Sequence, residues 1–289
     1  MIVRFWGTRG SIPTPGHATS IFGGNTTCVE IEAGEELLIF DAGSGLRELG
    51  SSLNKRFRNK SIRASLFISH THWDHIQGFP FFEPAFRPGN HFDIYGGLSN
   101  TGKTLDQLFE GQMDLDYFPV SLSQMAATLT FNNLDGIPLT LGEATITYCY
   151  LNHPTNTLGY RIEHQGKVIV FATDHEPPSE IVHPVTCHVN TISNDFKKLF
   201  YGTEILIADS QYTEKEYPKC RGWGHSSIAH ALAYAVEAKV KKLVLFHHDP
   251  THTDDIVTKM EVATQERAII MGDTGIECMA AREGMELEL

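Results

Sequence analysis

Four side chains that bind metals well stand close together, directly after a short apolar run: His70, His72, Asp74 and His75. Residues 64–68 are few enough for one buried strand. His70 and His72 alternate at the end of that strand, so both imidazoles can point the same way. Imidazole and carboxylate ligands suit zinc and are also used by manganese and iron. The cluster therefore predicts a metal site, because histidines crowded this densely in an ordinary polar loop would repel one another once protonated.

Further candidate side chains follow the ends of other predicted strands. They are, in chain order, His153, Asp174, Asp209, His247 and His248. A run of valine, isoleucine and phenylalanine at residues 168–171 precedes Asp174. The pair His153-Pro154 is a weak signal by itself, since an ordinary histidine in a turn would look the same.

The pattern His-x-His-x-Asp-His at residues 70–75 resembles the signature of the metallo-β-lactamase-fold hydrolases. The resemblance extends over nearly the full chain. It implies an α+β fold, a four-layer αββα sandwich with one or two metal ions at one edge. Within that superfamily the chain looks most like the phosphodiesterase branch, which contains ribonuclease Z and the small cyclic-phosphodiester hydrolases. Residues 5–13, Phe-Trp-Gly-Thr-Arg-Gly-Ser-Ile-Pro, are similar to the opening of that branch.

The resemblance also implies a dinuclear metal site and its ligands. One ion would be bound by His70, His72 and His153, the other by Asp74, His75 and His247, and Asp174 would be shared. We expect two divalent ions, zinc first, with manganese or iron as alternatives.

The choice of His247 as a ligand and the role of Asp41 rest on their positions in the chain. His247 is preferred to His248 because it stands where the ribonuclease Z pattern has its final histidine, after the same apolar strand. His248 is then left to contact the substrate or to support a ligand. Asp41 resembles a family aspartate that orients the metal ligands through hydrogen bonds.

The same resemblance suggests how a phosphodiester would be cleaved. Two metal ions can hold a hydroxide and clamp a phosphodiester for in-line attack, with Asp74 orienting the hydroxide. His225 would protonate the leaving alkoxide, because Gly-His-Ser is similar to the catalytic histidine motif of ribonuclease Z. A glutamate pairs with that histidine in the family, whereas the corresponding strand here ends in the shorter Asp209. The alternative for His225 is a surface residue that caps a helix.

Arg9 lies in the segment that resembles the opening of the phosphodiesterase branch, where such a loop lines the site. Its planar guanidinium could bind a phosphate oxygen. A structural arginine at the surface is the equally weighted alternative.

Length and composition favour one domain over residues 1–289, with a hydrophobic fraction of 41% and ample core. No apolar run approaches the roughly 20 residues of a membrane span. The five cysteines are widely spaced and the N-terminus lacks signal-peptide features, so we expect reduced thiols in a cytoplasmic protein. Because family members are commonly dimers, we expect a homodimer.

The net charge of −12 disfavours a nucleic-acid partner, since proteins that bind DNA or RNA backbones usually present a basic surface. Short ribonuclease Z enzymes grip tRNA with a long basic arm between the third histidine and the bridging aspartate. Here about twenty residues separate His153 from Asp174, and a predicted hairpin fills them.

The function predicted from the sequence is therefore hydrolysis of a small cyclic phosphodiester, such as a cyclic nucleotide or a phosphoribosyl cyclic phosphate. Ribonuclease Z-like RNA processing remains an alternative, as does a lactonase, thioesterase or β-lactamase on the same fold. A metal-binding protein without catalysis is a third class.

The candidate residues need a strand-rich scaffold to bring them together. Strands are predicted over residues 2–6, 28–31, 37–40, 64–68, 92–95, 127–131, 137–141, 144–150, 160–162, 168–172, 204–208, 240–246 and 285–289. Helices are predicted over residues 46–53, 104–112, 195–200, 228–238 and 253–267.

Overall fold

The computed structural model describes residues 1–58, 60–177, 198–272 and 275–289, whose strands form two seven-stranded sheets. The first has the order β14-β1-β2-β3-β4-β5-β6, with β1 (Ile2–Gly7), β2 (Cys28–Ala33), β3 (Glu36–Phe40), β4 (Arg63–Phe67), β5 (His91–Gly96), β6 (Thr128–Asn133) and β14 (Glu286–Glu288). The second has the order β13-β12-β11-β10-β9-β8-β7, with β7 (Leu139–Leu141), β8 (Ala144–Tyr150), β9 (Leu158–His164), β10 (Lys167–Ala172), β11 (Ile205–Asp209), β12 (Lys242–Phe246) and β13 (Glu277–Ala280).

Each sheet contains a run of parallel strands. Strands β3 to β6 pair in parallel in the first sheet, and β10 to β13 do so in the second. Parallel strands all end at the same edge of their sheet. The segments that follow β4, β10, β11 and β12 therefore start from common edges, and these are the segments that carry most of the candidate site residues.

The helices in the described part of the chain are α1 (Gly45–Arg56), α2 (Trp73–Ile76), α3 (Leu105–Gln112), α4 (Tyr217–Cys220), α5 (Ile228–Glu237) and α6 (Asp254–Ile270). Short 3-10 turns lie between some of them. None of these helices combines the length and apolar character that a membrane crossing requires.

Three hydrophobic cores show how the layers stack. The central core joins the two sheets face to face and contains Phe40 and Phe67 of the first sheet and Phe171 of the second. Alternate side chains of the same strands point outward, because successive residues of a strand face opposite sides. Leu66 of β4 accordingly belongs to a different core from its neighbour Phe67.

The two outer cores lie between each sheet and its helices. On the first sheet, Leu46 and Leu49 of α1 pack in the same cluster as Leu66. On the second sheet, Leu232 of α5 and Val257 of α6 share a cluster with strands β10 to β13. The order is therefore helix, sheet, sheet, helix, which confirms the predicted α+β fold class, an αββα sandwich.

Most predicted elements occur with shifted ends, but α2, α4 and β13 were not predicted. Residues 73–76 form α2, although they were expected as part of a turn. Strand β13 was missed, because its four residues, Glu-Cys-Met-Ala, carry little strand pattern. The predicted loop 175–193 lies largely outside the described residues. Residues 195–197 of the predicted helix 195–200 also lie outside them, and its described part, residues 198–200, is helical.

Candidate metal centre

The loop after β4 and the helix α2 present four predicted ligands: His70, His72, Asp74 and His75. This loop and α2 are held close to the end of β3, because Ala42 donates its backbone N–H to the His75 carbonyl at 2.7 Å. Gly78 lies so near the Gly43 backbone that an added Cβ would collide with it. Glycine at this position therefore lets the loop approach the sheet edge.

The ends of strands in the second sheet deliver the other predicted ligands: His153, Asp174 and His247. Asp174 and His247 have left-handed backbones, with φ of 56° and 63°, and Asp41 at the end of β3 has φ of 60°. Residues other than glycine adopt this conformation at a cost and often do so at functional sites. Three strands thus turn sharply where a candidate side chain is presented.

The structure brings six of the seven predicted ligands into two groups of three. The ligating atoms of His70, His72 and His153 lie within 4.8 Å of one another, and those of Asp74, His75 and His247 form a second such group. His72 Nδ1 is 3.4 Å from His153 Nε2. His72 is exposed, so the first group opens to solvent.

Asp174 lies between the groups and turns one oxygen to each. Its Oδ1 is 3.8 Å from His70 Nε2 and 3.9 Å from His153 Nε2. Its Oδ2 is 3.2 Å from His75 Nε2 and 3.3 Å from His247 Nε2. A single carboxylate is therefore placed to serve both groups.

The hydrogen bonds of the histidines leave the inward nitrogens available for a metal. His75 Nδ1 donates to Asp41 Oδ2 at 2.7 Å, and His153 Nδ1 donates to the Gly224 carbonyl at 2.9 Å. A proton on Nδ1 puts the lone pair on Nε2, which is the form that binds metal. Within the described residues, His70 Nε2 and His75 Nε2 are buried without a hydrogen-bond partner. Buried polar atoms are seldom left so, and a divalent ion fits both of them.

The electrostatics of the cluster also favour a cation. Burial and neighbouring histidines lower the pKa of His70 well below its ordinary value, which keeps this imidazole neutral. Burial also lowers the pKa of His75, but Asp174, Asp74 and Asp41 outweigh it and raise the pKa well above the ordinary value. Asp74 and Asp174 thus attract positive charge to His75 Nε2, the nitrogen that a metal would use.

His225 and Asp209 form a pair beside the two groups. His225 Nδ1 donates to Asp209 Oδ2 at 2.7 Å, so the shorter aspartate reaches the histidine, and the His225 side chain is 12% exposed. Burial lowers the pKa of His225, but Asp209 raises it more, to about 9. Asp209 itself is fixed by the backbone N–H groups of Asp174 and Ser226.

The structure contradicts both alternatives considered for Arg9, phosphate binding and a position at the surface. Its side chain is fully buried, and its guanidinium donates to the carbonyls of Gly23, Asp249 and His252. The loop does pass the site, but this arginine ties three backbone segments together instead of facing the centre.

His248 is likewise not placed to contact a substrate. It is buried, and its Nε2 donates to the Ala281 carbonyl at 3.0 Å. His247 faces the centre, whereas the side chain of His248 is turned toward Ala281 and Phe22. Burial lowers the pKa of His248 to about 3, which keeps it neutral.

Two groups at the site were not predicted from the sequence. The Ser11 backbone N–H donates to Asp74 Oδ2 at 2.7 Å, and Gln211 Oε1 accepts from His247 Nδ1 at 3.2 Å. A backbone donor leaves no trace in residue type. Gln211 could have been suspected only from its position just after Asp209, at the end of β11.

Comparison with known proteins agrees with the fold. Residues 37–248 match the family model described as the beta-lactamase superfamily domain. The ribonuclease Z of Thermoplasma acidophilum is 24% identical over 293 aligned positions, covering 88% of each chain. The ribonuclease Z of a Synechococcus strain is 23% identical, covering 93% of this chain and 94% of its own.

Solved structures share the fold over the whole chain. The metallo-beta-lactamase fold protein YhfI from Bacillus subtilis has a TM-score of 0.66 at 19% identity, covering 99% of both chains. The short form of human tRNase Z has 0.65 at 18%, covering 100% of this chain and 99% of its own. A diphosphatase of the PhnP family has 0.68 at 15%, covering 100% and 97%. Because the family model spans well over half of its length, the chain belongs to the beta-lactamase superfamily, with the metallo-β-lactamase fold.

Proposed function

We propose that this metal-dependent hydrolase of the beta-lactamase superfamily cleaves small cyclic phosphodiesters, such as a cyclic nucleotide or a phosphoribosyl cyclic phosphate. The observation that carries the proposal is the position of Asp174 between two groups of ligands, with the His225–Asp209 pair beside them. Lactone or thioester cleavage would leave this pair without an evident task.

Seven side chains would hold two divalent ions in this proposal: His70, His72 and His153 for one, Asp74, His75 and His247 for the other, and Asp174 for both. When bound, such ions polarise a phosphodiester and lower the pKa of water. Zinc suits the ligand set, and manganese and iron are alternatives.

Asp74 and His225 would divide the remaining work. Asp74 Oδ2 accepts from the Ser11 N–H and lies 3.2 Å from both His75 Nε2 and His247 Nε2, so the carboxylate is fixed where it can orient the attacking water. His225 keeps its Nδ1 on Asp209 and leaves its Nε2 to donate a proton to the leaving oxygen.

Two features support a small substrate. Between His153 and Asp174 the chain forms only the hairpin of β9 and β10, without the long basic arm by which short ribonuclease Z enzymes hold tRNA. The net charge of −12 opposes a long polyanion. RNA processing is the second candidate, because the relatives named above are ribonuclease Z enzymes that align over most of this chain.

The test is a hydrolysis panel with zinc or manganese supplied: 3′,5′- and 2′,3′-cyclic nucleotides, ribose 1,2-cyclic phosphate and a tRNA precursor. Turnover of one ring type, abolished by Asp174→Ala, would support the proposal. Cleavage of the precursor alone would establish the second candidate. If metal-loaded protein hydrolysed no phosphodiester but did hydrolyse lactones or thioesters, both candidate functions would be contradicted.

A further inference from the structure

Glu176 is a buried carboxylate that binds the segment leading to His225. Gly222 donates its N–H to both Glu176 oxygens at 2.9 Å, and Gly224 donates to Oε2 at 2.9 Å. The Tyr217 hydroxyl donates to Oε1 at 2.8 Å. Because a buried carboxylate is stable only when its oxygens are hydrogen-bonded, these contacts hold the segment and the side chain to each other.

The segment bound by Glu176 has an unusual backbone. Gly222 and Gly224 have φ of 87° and 89°, so that the two N–H groups converge on one anion. An added Cβ at Gly224 would collide with the ring of His153. The Gly224 carbonyl accepts from His153 Nδ1, and the next residue is His225. The position of this segment therefore sets a proposed ligand and the proposed proton donor together.

The backbone of Glu176 is tied to the other side of the same site. Its N–H donates to the Asn152 carbonyl at 2.9 Å, and its own carbonyl accepts from Asn152 Nδ2 at 2.7 Å. Asn152 directly precedes His153. Glu176 is also two residues beyond Asp174, so it lies where the segments of three site residues meet.

We propose that Glu176 is a positioning residue that fixes His153 and His225 relative to each other. The expected effect on His225 rests on the proposed cleavage, whereas the expected effect on His153 does not. Glutamine at this position would keep the size of the side chain. It would place an N–H₂ group against the N–H of Gly222 or Gly224, and two donors repel. The glycine segment would then move, and both histidines with it.

The experiment compares wild type with Glu176→Gln in two measurements. Zinc affinity, from competition with a chromogenic chelator, reports on His153 without requiring any catalysis. We expect it to fall about 10- to 100-fold. The second measurement is kcat at saturating zinc on diesters with alkyl or p-nitrophenyl leaving groups. We expect a larger loss on the alkyl group, whose departure needs the proton of His225, with KM little changed.

The control is Glu261→Gln. Glu261 is also a buried carboxylate that accepts a backbone N–H, that of Ala280, but it lies on α6 away from the site. Wild-type zinc affinity in Glu176→Gln, or an equal loss in Glu261→Gln, would overturn the proposal. If Glu176→Gln does not fold, Glu176→Asp keeps the charge with a shorter reach and is judged by the same measurements.

The two measurements separate this inference from the proposed function. Should the wild type cleave no phosphodiester, the proposed function fails, while the zinc affinity of the variant still decides whether Glu176 positions His153. Should the wild type be active and both readouts of the variant be unchanged, only the role of Glu176 fails.

Discussion

At the scale of single residues, Asp174 is the point where the two ligand groups meet. Its oxygens face different histidines, His70 and His153 on one side and His75 and His247 on the other. Burial raises the pKa of this carboxyl group, but the surrounding histidines outweigh it and hold the pKa well below its usual range. The group is therefore charged and ready to neutralise a cation.

Replacing Asp174 by asparagine should cost at least one of two bound ions and lower the rate about 100-fold or more. The amide is neutral and can offer only one oxygen, so the two groups lose their shared ligand. Metal content by mass spectrometry, with the rate measured on the same sample, checks this. Asp93→Asn, on β5 away from the site, is the matched control, and equal metal content in both variants would contradict the assignment.

His225→Ala should slow a diester with an alkyl leaving group about 100- to 10,000-fold, the usual contribution of general acid catalysis. The loss should be much smaller with p-nitrophenolate, which leaves readily without a proton. A series of leaving groups measures this difference as a steeper dependence of rate on leaving-group basicity. A uniform loss across the series would argue against proton donation, and His91→Ala serves as the control.

The sequence was most informative where several metal-binding side chains stand close together. His70, His72, Asp74 and His75 could be found because they stand within one short segment. The role of Arg9 was left open between phosphate binding and a surface position, because residue type and position do not tell which side of a loop a side chain faces. Glu176 and Gln211 were missed because their partners lie far away in the chain, and such pairs become visible only when the strands are in register.

At the scale of elements, glycine decides how near two segments can come. A Cβ at Gly10 would collide with the imidazole of His247, whereas a Cβ at Gly111, on the exposed face of α3, would meet no atom within 4 Å. We therefore expect opposite effects when each of these two glycines is replaced by alanine.

Gly10→Ala should displace His247 and lower the rate about 100-fold, since a shift of about 1 Å near reacting groups can have that effect. Gly111→Ala should leave the rate unchanged and raise the free energy of unfolding by about 0.5–1 kcal/mol, because alanine favours the helix. Urea denaturation and steady-state rates measure both variants. An unaffected rate in Gly10→Ala would show that the loop yields to the methyl group.

The start of α5 contains a buried histidine, His230, outside the proposed metal ligands. Ser227 and His230 form a capping box, and burial holds the pKa of His230 at about 4. An unfolded chain has histidines with a pKa of about 6.5, so between about pH 6.5 and pH 4 the unfolded state binds more protons. Stability is therefore present above this window and is lost as the pH falls through it, by an amount on the order of 3 kcal/mol for this residue.

His230→Gln should make the free energy of unfolding less dependent on pH in that window. Glutamine keeps the capping box but cannot bind a proton. Urea denaturation at a series of pH values measures the slope, and His17→Gln, at an exposed position, is the comparison. The interpretation fails if the slopes of wild type and His230→Gln agree.

Elements were predictable where the pattern was long. Strand β8 occurs with its predicted bounds, and α5 and α6 begin at or next to their predicted first residues. The short helix α2 and strand β13 were not predictable, because four residues carry too little periodicity to distinguish helix, strand and turn. Their structure is imposed by contacts with the sheets.

At the scale of the whole molecule, the candidate site lies where the two sheets meet, and both sheets contribute proposed ligands. A bound ion would therefore link the two halves of the sandwich. Because it would bind the folded state and not the unfolded chain, it would stabilise the folded state. At a free concentration of about 100 times its dissociation constant, it would add about 2.7 kcal/mol. Chelation should lower the melting temperature by about 5–10 °C. Calorimetry with and without chelator measures this shift, which should be much smaller in Asp174→Asn.

The division of the ligands between the sheets has a consequence for the newborn chain. The proposed ligands His70, His72, Asp74 and His75 leave the ribosome early, directly after β1 to β4. His247 follows only after β12. An ion captured by the early histidines would lack the carboxylate and the two imidazoles that complete the site. With the proposed ligand set, the complete site therefore forms only after β12 has been synthesised and the two sheets have packed together.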